Sequence, residues 1–191
     1  MADLTEIRWH ARAGQGAVTA AKLVAECALF EEKYMQAMPE YGPERMGAPL
    51  KAFTRICDEP IEVHSNIDNP GIVVVLDETL IDVIDVVEGL DEDGVVIVNS
   101  KNTPQQLREK LGVPDTVKVA TVDASGIALD TIKRDIPNTP IVGALAKITG
   151  AVDVESVKGQ LVTSFGKKFS QEIIDANLES VARAFEEVQV A

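Results

Sequence analysis

The sequence predicts an α/β domain, with a mostly parallel sheet covered by helices on both faces and a helical C-terminal part. Three observations support this fold class. Short runs rich in Val and Ile alternate with segments of helical length. Of the 191 residues 46% are hydrophobic but only 4% aromatic, so the apolar content is mostly aliphatic, as in buried strands. After residue 140 the strand-like runs stop and helical patterns follow.

The first part of the chain contains three predicted strands and one helix. The first strand covers residues 6–11 and leads through a Gly-Gln-Gly turn into a helix over residues 17–32, whose apolar residues lie largely on one side. The second and third strands cover residues 34–38 and 50–57. In the third, apolar and polar residues alternate, which is typical of a strand with one buried face.

The middle of the chain repeats a strand-helix pattern three times. The predicted strands cover residues 72–76, 95–98 and 117–122. The helices that connect them cover residues 79–87, 104–111 and 124–134. Such alternation is typical of parallel strands joined by crossover helices.

Three helices are predicted for the C-terminal part, over residues 140–149, 154–165 and 171–188. Their expected capping residues are Thr139, Asp153 and Ser170, and Gly150 and Gly166 mark the ends of the first two.

The last predicted helix carries an apolar stripe at spacings of four and three residues. The stripe consists of Ile174, Leu178, Val181, Phe185 and Val188. We expect it to pack on the domain's own sheet; the alternative is an interface with a partner.

Composition and charge exclude several classes of protein. The chain has 18 Lys and Arg against 31 Asp and Glu, a formal net charge of −13, which disfavours nucleic acids and anionic membrane surfaces as partners. No apolar run is long enough to span a bilayer, and the N-terminus lacks the basic start of a signal peptide. We therefore expect one soluble, cytoplasmic domain spanning residues 1–191.

The residue types that usually carry chemistry are sparse. Cys27 and Cys57 are the only cysteines and lie in apolar or strand-like stretches, so they cannot supply the four ligands of an ordinary iron–sulfur cluster. His10 and His64 have no Cys or His at metal-ligand spacing. We therefore predict no metal site and no catalytic residue in this chain.

The turn after the first strand is the first candidate site. Gly14, Gln15 and Gly16 connect a strand to a helix and expose backbone N–H groups at the helix N-terminus, which suits a phosphate or another anion. Arg12 adds positive charge beside this turn. Thr19 stands where the dinucleotide-binding fingerprint has its third glycine. The alternative is that the glycines only permit a tight turn.

The loop over residues 39–49 is the second candidate site. Its prolines and glycines favour one fixed shape, and Arg45 is a suitable partner for a phosphate or carboxylate. The alternative is that Arg45 only rigidifies the loop. Because both loops follow predicted parallel strands, we expect both at the carboxyl edge of the sheet, where open α/β sheets bind ligands.

Four motifs in this order make the chain similar to a known family. The segments IRWHARAGQGA (7–17), PEYGPERMGAP (39–49), NTPIVGAL (138–145) and FGKKF (165–169) resemble the gamma subunit of pyruvate:ferredoxin oxidoreductase, or pyruvate synthase, over essentially the whole chain. The family pattern usually has glycine where this chain has Ala11 and Ala13.

The resemblance implies a Rossmann-like or flavodoxin-like three-layer domain. It also implies one subunit of a hetero-oligomeric enzyme of anaerobic metabolism, inactive alone, that decarboxylates a 2-oxoacid, forms acetyl-CoA from pyruvate and passes electrons to ferredoxin. Thiamine diphosphate, magnesium and the [4Fe–4S] clusters would belong to alpha, beta and delta-type partner subunits. Coenzyme A is the ligand that this chain would contact, through Gly14, Gln15, Gly16, Arg12 and Arg45.

Three alternatives remain at this point. A non-catalytic module that bridges subunits would explain the lack of catalytic residues equally well. A gamma subunit for branched-chain 2-oxoacids would share the same motifs. An independent NAD(P)-binding oxidoreductase would explain the strand-glycine-helix opening, although the missing third glycine counts against it.

Overall fold

Seven strands form one sheet in the computed structural model, which describes residues 4–40, 47–166 and 168–191. The strands are β1 (Thr5–Arg12), β2 (Tyr34–Pro39), β3 (Pro49–Cys57), β4 (Ile72–Val75), β5 (Val95–Asn99), β6 (Lys118–Val122) and β7 (Gln189–Val190). The two-residue strand β7 was not predicted, because so short a run after a helix carries no strand pattern.

The sheet has a parallel centre and antiparallel edges. Its order is β2-β3-β1-β4-β5-β6-β7, and β1, β4, β5 and β6 run parallel to one another. At one edge β3 is antiparallel to both β1 and β2, and at the other β7 is antiparallel to β6. Because β3 is antiparallel to both β1 and β2, the strands β1 and β2 run in the same direction. The predicted α/β fold class is confirmed.

Six α-helices accompany this sheet in the described ranges. They are α1 (Ala17–Phe30), α2 (Pro104–Leu111), α3 (Ala124–Thr131), α4 (Asn138–Thr149), α5 (Val154–Phe165) and α6 (Gln171–Glu187). Side-chain caps begin α2, α3 and α5 through Thr103, Asp123 and Asp153, and the last of these was predicted. Ser170 occupies the cap position of α6 without a cap hydrogen bond.

Two sequence predictions about helices are wrong. The helix expected over residues 79–87 is only a 3₁₀ turn, Glu78–Asp82, because the Asp85 side chain then accepts a hydrogen bond from the Val87 N–H, which competes with a helical continuation. Thr139 does not cap α4: the helix begins at Asn138 after Pro137, which places Thr139 inside the first turn, where it is buried.

The larger core lies between one face of the sheet and the helices α1 and α3 to α6. Trp9 of β1 is fully buried there, and its Nε1 donates to Thr54 Oγ1 of β3 at 3.0 Å. The Thr54 hydroxyl in turn donates to the Ala21 carbonyl of α1 at 3.1 Å. This chain of hydrogen bonds joins two strands and a helix inside the apolar core.

The opposite face carries a smaller core of valines and leucines, covered by α2 and by loops. Arg8, only 4% exposed, binds these loops by donating to the backbone carbonyls of Asp68, Val86 and Glu88. Arg55 acts similarly farther along the sheet: it donates to the carbonyl of Ser65 at 2.8 Å and pairs with Glu6. Buried guanidinium groups therefore hold the covering loops in place.

The C-terminal helix packs within the chain, but on another helix rather than on the sheet as expected. Helix α6 lies mainly on α4, with Ile174 and Val181 of the predicted stripe buried. The two helices approach each other closely at Gly143, where a Cβ atom would lie only 2.3 Å from the Val181 carbonyl oxygen. This position of α4 therefore has no room for a side chain.

The surroundings of two helical glycines predict opposite effects on stability when each is replaced by alanine. We expect Gly143→Ala to lower the free energy of unfolding by about 1–3 kcal/mol, because α4 and α6 must separate. Gly159→Ala in α5, where a Cβ atom would have no atom of the described residues within 4 Å, should raise it by about 0.5–1 kcal/mol. Urea denaturation of both variants measures the difference; a stabilised Gly143→Ala protein would contradict the packing.

Candidate functional site

The carboxyl ends of β1 and β4 form the topological switch point of the sheet. After β1 the chain crosses through α1 to β2 on one side, and after β4 it proceeds to β5 on the other. Because the two connections leave in opposite directions, a crevice opens between neighbouring strand ends, and open α/β sheets bind ligands in such crevices. The turn at residues 14–16 follows β1 directly.

A hydrogen-bonded network occupies this switch point. Arg12 Nε lies 3.3 Å from Asp77 Oδ2, and Arg12 Nη2 donates to Thr79 Oγ1 at 2.8 Å. Gln15 Nε2 donates to the same Asp77 oxygen at 2.9 Å, and Gln15 Oε1 accepts from the Arg12 backbone N–H at 2.8 Å. The structure thus brings together two predicted site residues, Arg12 and Gln15, with two that the sequence interpretation missed.

Asp77 is the centre of the network. Burial alone raises the pKa of its carboxyl group, but hydrogen bonds from Thr79 and Gln15 and the charge of Arg12 outweigh this effect and hold the pKa below its usual value. An acidic pair such as residues 77–78 usually forms part of a solvated turn or helix start, so composition alone does not mark it as part of a site. Its position at the end of a buried strand was the signal that could have identified Asp77.

The two glycines of the turn have different surroundings. Both have positive φ, +103° at Gly14 and +83° at Gly16, which explains why glycine is needed for the turn. A Cβ atom at Gly16 would lie 2.6 Å from Asn138 Nδ2, whereas one at Gly14 would have no atom of the described residues within 4 Å. Gly16 therefore also permits close packing of α1 against the start of α4.

The second candidate loop approaches the same turn. Ala13 N–H donates to the Ala48 carbonyl at 3.0 Å, and Arg12 Nη1 donates to the Gly47 carbonyl at 3.0 Å. The C-terminal end of the loop therefore lies beside the turn, as the common direction of β1 and β2 requires. Arg45 itself lies outside the described residues.

Comparison with known proteins identifies the family. The family model "Pyruvate ferredoxin/flavodoxin oxidoreductase" matches residues 6–187, nearly the whole chain. The chain belongs to this family. The resemblance to the gamma subunits of these oxidoreductases, and the expectation that the chain is one subunit of such an enzyme, are confirmed.

Two relatives and one solved structure of this oxidoreductase family show how far the likeness extends. The chain is 52% identical to pyruvate synthase subunit PorC of Thermotoga maritima, over 96% of this chain and 94% of the relative. It is 48% identical to the "pyruvate/ketoisovalerate oxidoreductases common subunit gamma" of Pyrococcus abyssi, over 98% of both chains. The crystal structure of the Thermotoga maritima subunit superposes with a TM-score of 0.88, covering 98% of both chains at 47% identity.

None of the helices in the described residues is long and apolar enough to cross a membrane. Within the same residues, no cluster of three or more His, Cys, Asp or Glu side chains is placed to hold a metal ion.

His10 follows Trp9 in the first family motif. Its side chain is fully buried and lies on the face of β1 opposite to that of Trp9. Burial, with the charges of Arg8 and Lys51, lowers the pKa of its ring to about 3. The neutral ring accepts a hydrogen bond from Arg8 Nε at Nε2, 3.1 Å away, and its buried Nδ1 has no partner among the described residues. This oxidoreductase subunit therefore uses His10 as a neutral internal acceptor.

The lowered pKa of His10 predicts how stability depends on pH. Its pKa rises from about 3 in the folded chain to about 6.5 in the unfolded chain, so the unfolded chain binds more protons as pH falls below 6.5. Between about pH 7 and pH 5 this group alone should lower the free energy of unfolding by about 2 kcal/mol.

We expect His10→Gln to lose this part of the pH dependence, whatever its stability at neutral pH. Denaturation curves of both proteins at several pH values measure the difference in slope. Equal slopes, or a His10 ring that titrates in NMR spectra of the folded protein between about pH 8 and pH 5, would contradict a buried neutral ring.

Proposed function

We propose that the chain is the gamma subunit of a cytoplasmic pyruvate:ferredoxin oxidoreductase. The complex oxidatively decarboxylates pyruvate with coenzyme A to give acetyl-CoA, CO₂ and two electrons for ferredoxin, and also runs in reverse. The observation that supports pyruvate is the 52% identity to a pyruvate synthase subunit over nearly the full length of both chains. The Pyrococcus relative is named as common to pyruvate and ketoisovalerate enzymes, so a branched-chain 2-oxoacid is the second candidate substrate.

The cysteines support a division of labour within the complex. Cys27 and Cys57 are both buried, and burial raises the pKa of the Cys27 thiol to about 12, so it stays protonated. Two such cysteines are too few for a [4Fe–4S] cluster. Alpha, beta and delta-type partner subunits would therefore hold the clusters, thiamine diphosphate and magnesium.

Coenzyme A is the ligand that we assign to the switch point. Gly14 and Gly16 shape the turn that presents the N-terminus of α1, and no described residue lies within 4 Å of where a Cβ atom of Gly14 would be. Arg12 and Gln15 are held by Asp77, and Arg12 also contacts the end of the second loop. This convergence supports the assignment, because the described end of the loop that carries Arg45 lies beside the turn.

One prediction of this proposed function tests Arg45 in the assembled complex. If Arg45 binds a phosphate of coenzyme A, Arg45→Ala removes a charge-assisted contact of about 1.5–3 kcal/mol and should raise the Michaelis constant for coenzyme A about tenfold to a hundredfold. The Michaelis constant for pyruvate should change little. Lys118→Ala is the matched control, because this exposed lysine begins β6 at the opposite edge of the sheet.

The same variant separates ligand binding from subunit bridging. If Arg45 pairs with a carboxylate of a neighbouring subunit, Arg45→Ala should dissociate the complex on a sizing column, and the complex that remains should have unchanged kinetics. That outcome would remove Arg45 from the coenzyme A site and favour the bridging alternative.

Another prediction of this proposed function concerns the chain purified alone. It should be colourless and inactive with pyruvate, coenzyme A and ferredoxin, because the cluster and thiamine diphosphate sites lie in other subunits. Visible absorption spectra and a ferredoxin-reduction assay test this expectation, with the assembled complex as positive control. A stoichiometric iron–sulfur spectrum, or turnover by the pure chain, would overturn the division of labour.

A further inference from the structure

Strand β2 (Tyr34–Pro39) forms one edge of the sheet. It pairs with β3 on one side, and no other strand of the described residues lies beside it. A strand at a sheet edge presents its outward backbone N–H and C=O groups in the geometry that a further strand needs. We call residues 34–39 the β2 edge.

The register shows which backbone groups of the β2 edge face outward. The Glu40 N–H donates to the Lys51 carbonyl at 3.0 Å, and the register places these two residues opposite each other. Because bonded and non-bonded pairs alternate along an antiparallel ladder, every second residue of β2 turns its backbone groups away from β3. These outward-facing residues are Met35, Ala37 and Pro39. Among the described residues, none of their outward backbone groups has a hydrogen-bond partner.

The usual protection of an edge strand is weak at this edge. Proteins blunt sheet edges with charged side chains, bulges, prolines or very short strands. The β2 edge has six residues and no charged side chain, and its one proline, Pro39, stands at the last position. The opposite edge of the sheet is formed by β7, which has only two residues. The β2 edge is therefore long enough and open enough to accept another strand.

Exposed apolar side chains flank the start of the β2 edge. Leu29 and Phe30 end α1 and are each 60% exposed, and Tyr34, which begins β2, is 49% exposed. Only residues 31–33 separate Phe30 from Tyr34, so the three side chains lie near the same end of the strand. Neighbouring exposed apolar side chains of this size are typical of interaction surfaces.

Charge distinguishes a second copy of this chain from a different partner. Glu32 and Asp58 are exposed near the start of the β2 edge, since Asp58 follows the residue that pairs with Tyr34, and Glu40 is exposed at its end. In a symmetric antiparallel pair of two β2 strands, Glu40 of each copy would come beside Glu32 of the other. Each chain also carries a formal net charge of −13. Like charges therefore disfavour self-pairing and favour a partner strand with basic residues at its ends.

We propose that a strand from another subunit of the complex extends the sheet at the β2 edge. This strand is an apolar segment with lysine or arginine at its ends. It accepts hydrogen bonds from the Met35 and Ala37 N–H groups and donates to the outward carbonyls. Its apolar side chains cover the exposed group at the start of β2, and its basic ends approach Glu32 and Glu40. The proposal rests on the proposed function in that the chain works in a complex with different subunits.

Two proline variants test the β2 edge in the complex. Ala37→Pro removes an outward N–H group and places a ring where the added strand would lie, but it removes no hydrogen bond to β3. Val190→Pro is the matched control at the opposite edge. Val119 and Ala191 exchange two hydrogen bonds, so the Val190 N–H between them in the ladder also points away from β6.

Each variant is co-expressed with the alpha, beta and delta-type subunits, and native mass spectrometry follows dissociation of the complex on dilution. We expect Ala37→Pro to raise the dissociation constant of the chain about tenfold or more, and Val190→Pro to leave it unchanged. Glu40→Lys should raise it about fivefold or more, whereas Glu109→Lys on α2, also an exposed carboxylate, should not. Circular dichroism confirms that each variant is folded.

Hydrogen exchange of the wild-type protein provides a second test that needs no variant. In the chain alone, the Met35 and Ala37 amides should exchange fast, while the Met38 amide, which bonds to β3, exchanges slowly. In the complex, both outward amides should exchange about tenfold more slowly or less, and the Val190 amide should exchange as before.

The proposal is overturned if the Ala37→Pro chain assembles as tightly as the Val190→Pro chain, if the outward amides gain no protection, or if wild-type chain does not assemble with these subunits. It is also overturned if the chain alone dimerises and Ala37→Pro makes it monomeric, because the β2 edge would then bind a second copy. These measurements follow assembly and not turnover. A complex that assembles through β2 but does not oxidise pyruvate would contradict the proposed function without contradicting the β2 edge.

Discussion

The burial of β1 on both faces is the constraint on which the rest of the structure depends. The buried polar side chains of this central strand need partners inside the protein, because unpaired buried polar groups are costly. His10 Nδ1 is the exception among the described residues. On one face Trp9 binds Thr54, which binds the backbone of α1. On the other face Arg8 binds three loop carbonyls and His10. These bonds fix β1 relative to its neighbours in the sheet, to a helix on one side and to loops on the other.

Arg8 shows how a buried charge can organise loops. Its acceptors are carbonyl oxygens and the neutral ring of His10, while Asp68, Asp85 and Glu88 act on it at longer range. Burial lowers the pKa of the guanidinium, and those carboxylates oppose this shift, so Arg8 remains protonated. The loops that it binds stand where a helix would otherwise cover the sheet. A rigid β1 in turn gives the switch point a fixed base, since Arg12 is its last residue and the turn at residues 14–16 follows directly.

The sequence predicted most of the fold because the strands are short β-branched runs with clear helical segments between them. The bounds of α2 and α5 agree with the predictions.

What the sequence could not show were contacts between distant residues. Asp77 is adjacent to Arg12 only because β4 pairs with β1, more than 60 residues away in sequence. The contact between Gly16 and Asn138 depends on how α4 returns across the sheet, which no local pattern encodes. The helix expected over residues 79–87 does not form, because the Asp85 side chain accepts a hydrogen bond from the Val87 backbone N–H.

The order of the strands also determines how the chain can fold. β1 pairs with β3 and β4, never with β2, the next strand along the chain, so its pairing closes loops of about 40 to 70 residues. Helix α4, which packs on β5 and β6, comes from residues 138–149 and is itself covered by α6. During synthesis the part of the apolar face that α4 covers on β5 and β6 therefore stays open until residues 138–149 have left the ribosome. A chain with such non-local contacts folds slowly and exposes apolar strands meanwhile. Early capture by a chaperone or by a partner subunit would protect it.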